Sequence, residues 1–246
     1  MREVVHAEHL APDHWWFRAR RRIFERVLDE HVPLPPDARI LDLGPGSGVN
    51  LPVLAPRGRV TVLDVSRFSL ATCRSGGASC VQADATRPPF RDASFDLVCA
   101  LDVLEHLVED ERALRACRRV LRPEGRLLAS VPALGLLWGR QDVLSEHKRR
   151  YARADFESRL VAAGFELERL TYFNSLLFPP ILAVRLMMRP FLRATSQNGG
   201  GSDLGLRLPR PAEELLYRLF ASERHWLARR DLPIGVSLLG LARPAA

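Results

Sequence analysis

Apolar residues recur along this chain with two alternating periods, and that alternation predicts the fold class before any motif is considered. Between His14 and His31, the residues Trp16, Phe17, Arg20, Ile23, Phe24, Val27 and Leu28 fall on one stripe, with Arg18, Arg22, Glu25 and Asp29 on the other, the spacing of an amphipathic helix. Short apolar runs then predict strands at Arg39–Leu43, Val60–Asp64, Ser79–Gln82, Leu97–Leu101 and Arg126–Val131. Helical segments alternate with them at Val49–Leu54, Phe68–Arg74 and Glu109–Leu121. A helix over Phe156–Ala163, closed by Gly164, precedes a sixth strand at Phe165–Phe173, and the last apolar run is Val236–Ala242. Such alternation predicts one α/β domain over 1–246, a parallel sheet with helices on both faces.

One stretch departs from the pattern. Ser175–Leu192 is strongly apolar but is broken by Pro179, Pro180, Arg185 and Arg189, too short and too interrupted for the roughly 20 apolar residues that span a bilayer. Ser196–Ser202 is polar and glycine-rich, a linker composition, and Pro211–Arg230 resumes as an amphipathic helix carrying Leu215, Leu216, Leu219, Phe220 and Trp226. The region 175–232 therefore reads as a helical insertion. Three roles are open to it: helices packed on the sheet or at a homodimer interface, a lid and wall for an apolar acceptor, or an arginine-flanked stripe in a lipid interface.

Charge and cysteine usage narrow the classes. The net charge is +7, yet the basic excess is almost all arginine, with Lys148 the only lysine, a bias better explained by a GC-rich coding sequence than by a clustered nucleic-acid surface. Cys73, Cys80, Cys99 and Cys117 show no Cys-x-x-Cys pairing and fall in predicted strands or helices, so they read as small buried apolar groups with no structural metal. Met1–Leu10 has no apolar core of the kind a signal peptide needs. These features predict a cytoplasmic protein, with peripheral contact at the inner membrane face left open.

Candidate chemistry centres on Ile40-Leu41-Asp42-Leu43-Gly44-Pro45-Gly46-Ser47-Gly48, an apolar strand running into a glycine turn that lets the backbone approach a ligand closely. Twenty residues after Gly44, a second strand ends in Asp64, placed to accept hydrogen bonds from ribose hydroxyls. The dinucleotide fingerprint requires a glycine where this chain has Val49, so the spacing is Gly-x-Gly-x-Gly instead.

That spacing resembles the Rossmann-like class of S-adenosylmethionine (SAM) methyltransferases, and further segments extend the resemblance. Cys80–Ala85 resembles the third strand of the class, with Asp84 as its terminal acid, and Pro89–Val98 followed by Leu101–Leu107 resembles the fourth-strand signature of the small-molecule branch. Val120–Leu128 resembles the turn into the fifth strand. The resemblance implies a three-layer fold with a seven-stranded sheet, mostly parallel, whose antiparallel last strand is inserted at its edge after the helical insertion. It also implies SAM as cofactor, with S-adenosylhomocysteine as its product. Gly44, Gly46 and Gly48 would receive the methionyl part, Asp64 the ribose, and Asp84 with Ala85 the adenine, with Val65 and Leu101 also at the cofactor. Methyltransferases of nucleic acid carry Asn or Asp followed by Pro-Pro and an aromatic at the end of the fourth strand, where this chain has Ala100-Leu101-Asp102-Val103.

Several side chains compete for roles around that pocket. Arg20 sits on the apolar stripe of the helix over 13–31, where a charge must be paired; it either reaches the methionine carboxylate, snorkels to the rim, or pairs with a core acid. His106 follows the fourth strand and is a candidate base or a supporting residue. The run His147-Lys148-Arg149-Arg150-Tyr151 resembles the His-x-Arg-Arg-Tyr element of a bacterial subfamily associated with glycan, lipid or secondary-metabolite pathways. His147 is the leading candidate base or acceptor anchor, Tyr151 the next, and Arg149 or Arg150 suits an anionic group; the same run also reads as a solvated, charged helix cap. The expected activity is methyl transfer to a small or lipophilic acceptor, oxygen preferred over carbon or nitrogen. A SAM-binding enzyme of cyclisation or rearrangement is the alternative.

Overall fold

A computed structural model describes residues 13–192 and 208–245 of the chain, and helix side chains only as far as residue 187 near the gap. The signal-peptide reading of Met1–Leu10 and the linker reading of Ser196–Ser202 lie outside the described residues.

The chain opens with helix α1 (Trp15–His31), whose N-cap His14 accepts from the backbone of Trp16 and whose buried face carries Ala19, Arg20, Ile23, Phe24, Val27 and Leu28. Strand β1 (Arg39–Leu43), the single turn α2 (Leu51–Leu54), β2 (Arg59–Asp64), α3 (Arg67–Ser75), β3 (Ser79–Gln82), β4 (Phe95–Leu101), α4 (Asp110–Val120) and β5 (Leu121–Pro132) follow. Beyond them lie α5 (Arg140–Leu144), α6 (Arg153–Ala162), β6 (Phe165–Phe173), α7 (Phe178–Leu192), α8 (Arg210–Ser222), α9 (Arg224–Leu227) and β7 (Ser237–Pro244).

The seven strands form one sheet in the order β3-β2-β1-β4-β5-β7-β6. β1 to β5 pair in parallel, and β7 runs antiparallel to both its neighbours, with Leu128 opposite Leu241 and Tyr172 opposite Leu238. The last strand is thus not at the edge, as the sequence suggested, but one place in from it. Burial explains the order: β7 is buried from Ser237 to Ala242 and needs a partner on each side, whereas β6 carries charged Glu166, Glu168 and Arg169 that an edge strand can solvate. The fifth strand also starts earlier than expected. Arg122-Pro123-Glu124-Gly125 forms a bulge within β5, where the register on β4 shifts between Phe95 and Leu97, rather than a separate turn.

Alternation along the strands divides the core in two. Ile40, Val62, Leu97, Cys99 and Leu128 face α1 and α8, while Leu41, Leu43, Val98, Ala100 and Leu127 face α4 and α6. Part of the insertion belongs to the first layer: Phe220 of α8 stacks on Phe173 and packs against Trp16, and Arg18 of α1 lies over the Tyr217 ring. Buried Glu223 accepts from the backbone of Leu176 at 2.8 Å, tying the end of α8 to the chain leaving β6. The α7 helix keeps an apolar surface exposed at Val184, Leu186 and Met187. Among the described residues, no helix is long and apolar enough to cross a membrane.

Candidate active site

Parallel strands end together, and at their carboxyl edge the chain breaks into turns that bring the polar residues of the domain side by side. The turn after β1 is built by three glycines in the left-handed region, Gly44, Gly46 and Gly48, with φ of 60°, 56° and 75°. Each glycine is required for a different reason. A Cβ at Gly44 would overlap Val103, which follows β4, and one at Gly48 would press on Leu51 and on Sγ of Cys73, whereas one at Gly46 would meet no protein atom within 4 Å. Gly46 therefore turns a bare backbone face toward open space.

Below this turn, Asp42 is 1% exposed and neither of its carboxylate oxygens has a hydrogen-bond partner. Burial, reinforced by the nearby Asp64, pushes its carboxyl up to about 7. Asp64, at the end of β2, accepts from the backbone of Ser66 at 2.8 Å and from the backbone of Val65 and Gly46; burial nevertheless raises its carboxyl. Val65 is 65% exposed beside it, and Leu101 closes β4 in the core. Asp84 lies exposed just past β3, where it accepts from the Thr86 backbone at 2.7 Å, a bond that holds its carboxyl below the usual range; Ala85 next to it is buried.

Arg20 is paired inside the protein. Its guanidinium forms an ion pair with Asp102, donates to Ser130 Oγ at 3.1 Å and lies over the rings of Phe24 and Phe173, leaving Nε without a partner. Ser130 in turn donates to Asp102 at 2.8 Å, and Asp102 itself sits in the left-handed region with φ 57°. Of the three possibilities for Arg20, pairing with an acid is the contact observed.

Two loops distant in sequence meet beyond β4. The backbone N–H of Lys148 donates to the carbonyl of Glu105 at 2.7 Å, which lays the segment after α5 against the short turn Leu104–His106. The His106 and His147 rings consequently meet edge to face, with centroids 4.8 Å apart. His147 is oriented from behind: its Nδ1 is 2.9 Å from Oδ1 of fully buried Asp142, which also accepts from Arg150 at 2.8 Å and from the Gly139 backbone at 2.8 Å. Burial opposes ionisation of Asp142, but His147 and Arg150 outweigh it and hold the carboxyl down at about 2. An ionised carboxylate can only accept, so Nδ1 carries the hydrogen, and in the neutral ring Nε2 is the nitrogen with the lone pair. The neighbouring Glu105 is 1% exposed, its Oε2 is unpartnered, and burial together with Asp102 raises its carboxyl well above the ordinary range.

Tyr151 is placed otherwise than the sequence suggested. It is fully buried, and its hydroxyl donates to Asp110 at 2.7 Å inside the core, so it does not join the two histidines. Arg149 and Arg159 complete the shell of Asp110, at 3.1 and 2.8 Å, which takes Arg149 away from an acceptor as well. Arg150 is held by Asp142. Two further members of the site escaped the sequence reading. Asp42 had a usable signal, an acid inside a run expected to be buried on both faces; Asp142 had none, since its partner arrives through the fold of the loop.

The glycine turn and the acid at the end of β2 agree with the match of residues 41–129 to a methyltransferase domain family. The chain is 30% identical over 193 residues to the ubiquinone/menaquinone biosynthesis C-methyltransferase UbiE of Pseudomonas savastanoi, covering 62% of this chain and 74% of the relative. The chain belongs to the SAM-dependent methyltransferase family. A Mycobacterium tuberculosis protein named "Probable S-adenosylmethionine-dependent methyltransferase" is 31% identical over 158 residues, 62% of this chain, and the chain spans 56% of that relative's length. Among solved structures, the 4+2 cyclase SpnF superposes with a TM-score of 0.59 at 22% identity, covering 92% of this chain and 81% of SpnF, a likeness of fold.

Proposed function

We propose that this methyltransferase-family chain methylates a small or lipophilic acceptor at an oxygen, with SAM bound over the glycine turn and the acceptor beside His147. The observation that carries the reading is Asp42: a buried carboxylate with two unpartnered oxygens directly before a turn whose Gly46 opens onto free space. The methionyl part of SAM carries an ammonium and a sulfonium, and such cations would satisfy the orphaned oxygens. When bound, SAM supplies a methyl group on an already good leaving group.

The chain's own residues then divide the work. Gly44, Gly46 and Gly48 admit the methionyl part, Asp64 takes the ribose hydroxyls, and Asp84 with Ala85 takes the adenine, with Val65 and Leu101 as apolar walls. Arg20 retains one free donor, Nε, for the methionine carboxylate. Methyl transfer from a sulfonium chiefly demands that the acceptor be held at attack distance in a dry site. His147 supplies an oriented lone pair at Nε2 for an acceptor hydroxyl, and His106 packs against it. The α7 helix forms the outer wall, since its Arg185 lies against Gly139 at the start of the segment that ends in His147. Its exposed Val184, Leu186 and Met187 suit a lipophilic acceptor.

Calorimetric titration with SAM and with S-adenosylhomocysteine, on the wild type, Asp42→Asn and Asp64→Ala, tests the reading. Micromolar binding that both substitutions weaken supports it, and folded wild-type protein that binds neither ligand overturns it. An acceptor screen by mass spectrometry follows: methylated product in step with S-adenosylhomocysteine supports transfer, whereas a product of unchanged mass without S-adenosylhomocysteine points to the cyclisation chemistry instead.

A further inference from the structure

The ligand atoms of Glu105, His106 and His147 all lie within 4.8 Å of one another, at the point where the turn after β4 meets the segment after α5. We infer that these three side chains bind a divalent transition-metal ion of the zinc or ferrous class. The inference rests on the methyltransferase reading and replaces one part of it: Nε2 of His147 binds the ion instead of acting as a base, and the ion holds an ionisable oxygen of the acceptor.

Three observations carry it. First, His147 Nε2 and Glu105 Oε1 are 4.0 Å apart, too far for a hydrogen bond. Around a four-coordinate ion with bonds of about 2.0–2.2 Å, ligand atoms stand about 3.3 Å from each other, so the cluster needs to close by less than an ångström at this pair. Second, Glu105 is buried yet its Oε2 has no partner, which is costly unless a cation or donor meets it. Third, His147 already has the support that metal-bound histidines show. Asp142 fixes its Nδ1–H, and Arg150 and the Gly139 backbone fix Asp142, so Nε2 is the nitrogen turned toward Glu105. Two imidazoles and one carboxylate on one side of an ion leave positions open for an oxygen ligand. Val103, two residues before Glu105, lies against Gly44 of the glycine turn, so the cluster's segment adjoins the proposed cofactor pocket.

The test uses the full chain, stripped with a chelator and titrated with Co2+ as a spectroscopic probe. The expected result is one equivalent of Co2+ with visible d–d absorption, displaced by Zn2+. Glu105→Gln and His147→Asn should each weaken it at least 100-fold and Asp142→Asn about tenfold, while His225→Gln on the exposed face of α9 should leave it unchanged. Circular dichroism of every variant reports folding, and SAM calorimetry on each reports the cofactor pocket separately. Absence of d–d absorption in wild-type protein, or the same absorption in Glu105→Gln and His147→Asn, overturns the metal site. If SAM still binds in that case, the methyltransferase reading stands without it.

Discussion

The Tyr151 hydroxyl donates to Oδ2 of Asp110 at 2.7 Å, while Arg149 and Arg159 hold Oδ1 of the same carboxylate. A tyrosine that reads as a catalytic candidate beside His147 is thus a buried post linking the segment after α5 to the first turn of α4. Tyr151→Phe should cost about 1.5–3 kcal/mol of stability, the net worth of one hydrogen bond to a charged group, with kcat unchanged. Chemical denaturation and steady-state turnover check the two halves; a large fall in kcat at intact stability would return Tyr151 to the chemistry.

Asp42 makes stability depend on pH. Unfolded, its carboxyl ionises near 3.8, but in the folded protein it keeps its proton up to about 7. Between these values the folded state binds more protons than the unfolded state. Stability from this group is therefore full below about pH 4 and declines as the pH rises to 7, by at most about 4 kcal/mol. Denaturation midpoints across that range should show the decline in the wild type and a flatter profile in Asp42→Asn. A cationic ligand favours the ionised form, so SAM should displace a proton below pH 7. Calorimetry in two buffers of different ionisation enthalpy would detect that release.

Gly46 and Gly48 should separate cradle from fold. Both have positive φ, so an alanine at either costs about 1 kcal/mol or more. At Gly46 the new methyl group meets no protein atom within 4 Å, but at Gly48 it lies 3.0 Å from Leu51 Cδ1 and 3.2 Å from Cys73 Sγ. Gly46→Ala is expected to lose at least tenfold in SAM affinity with a small stability change, and Gly48→Ala to lose more stability. Equal effects of both substitutions on both quantities would contradict the assignment of Gly46 to the ligand face.

Removing the guanidinium of Arg20 leaves Asp102 without its ion-pair partner. Arg20→Met should destabilise the fold by about 2 kcal/mol, less than for a fully buried pair because Asp102 is partly exposed. The double variant Arg20→Met with Asp102→Ala should cost less than the sum of the singles. SAM affinity decides whether Arg20 also touches the cofactor: a fall supports that contact, and an unchanged value confines Arg20 to the ion pair.

The periods of the hydrophobic pattern determined most of the architecture, because strand and helix periodicity are local properties of the chain. Every predicted strand is present, and the ends of β1 and β2 fall where Gly44 and Asp64 were expected. Glycine spacing could be read for the same reason, since positive φ is a demand on single residues. Tertiary structure alone decided what depends on neighbours remote in sequence. The insertion of β7 between β5 and β6 follows from which strand can solvate an edge. The burial of Tyr151 follows from the position of Asp110 some forty residues earlier, and the pairing of Arg20 from Asp102. The meeting of His106 with His147 depends on one backbone hydrogen bond from Lys148 to Glu105, and no pattern of residue types along the chain encodes which carbonyl a loop amide will find.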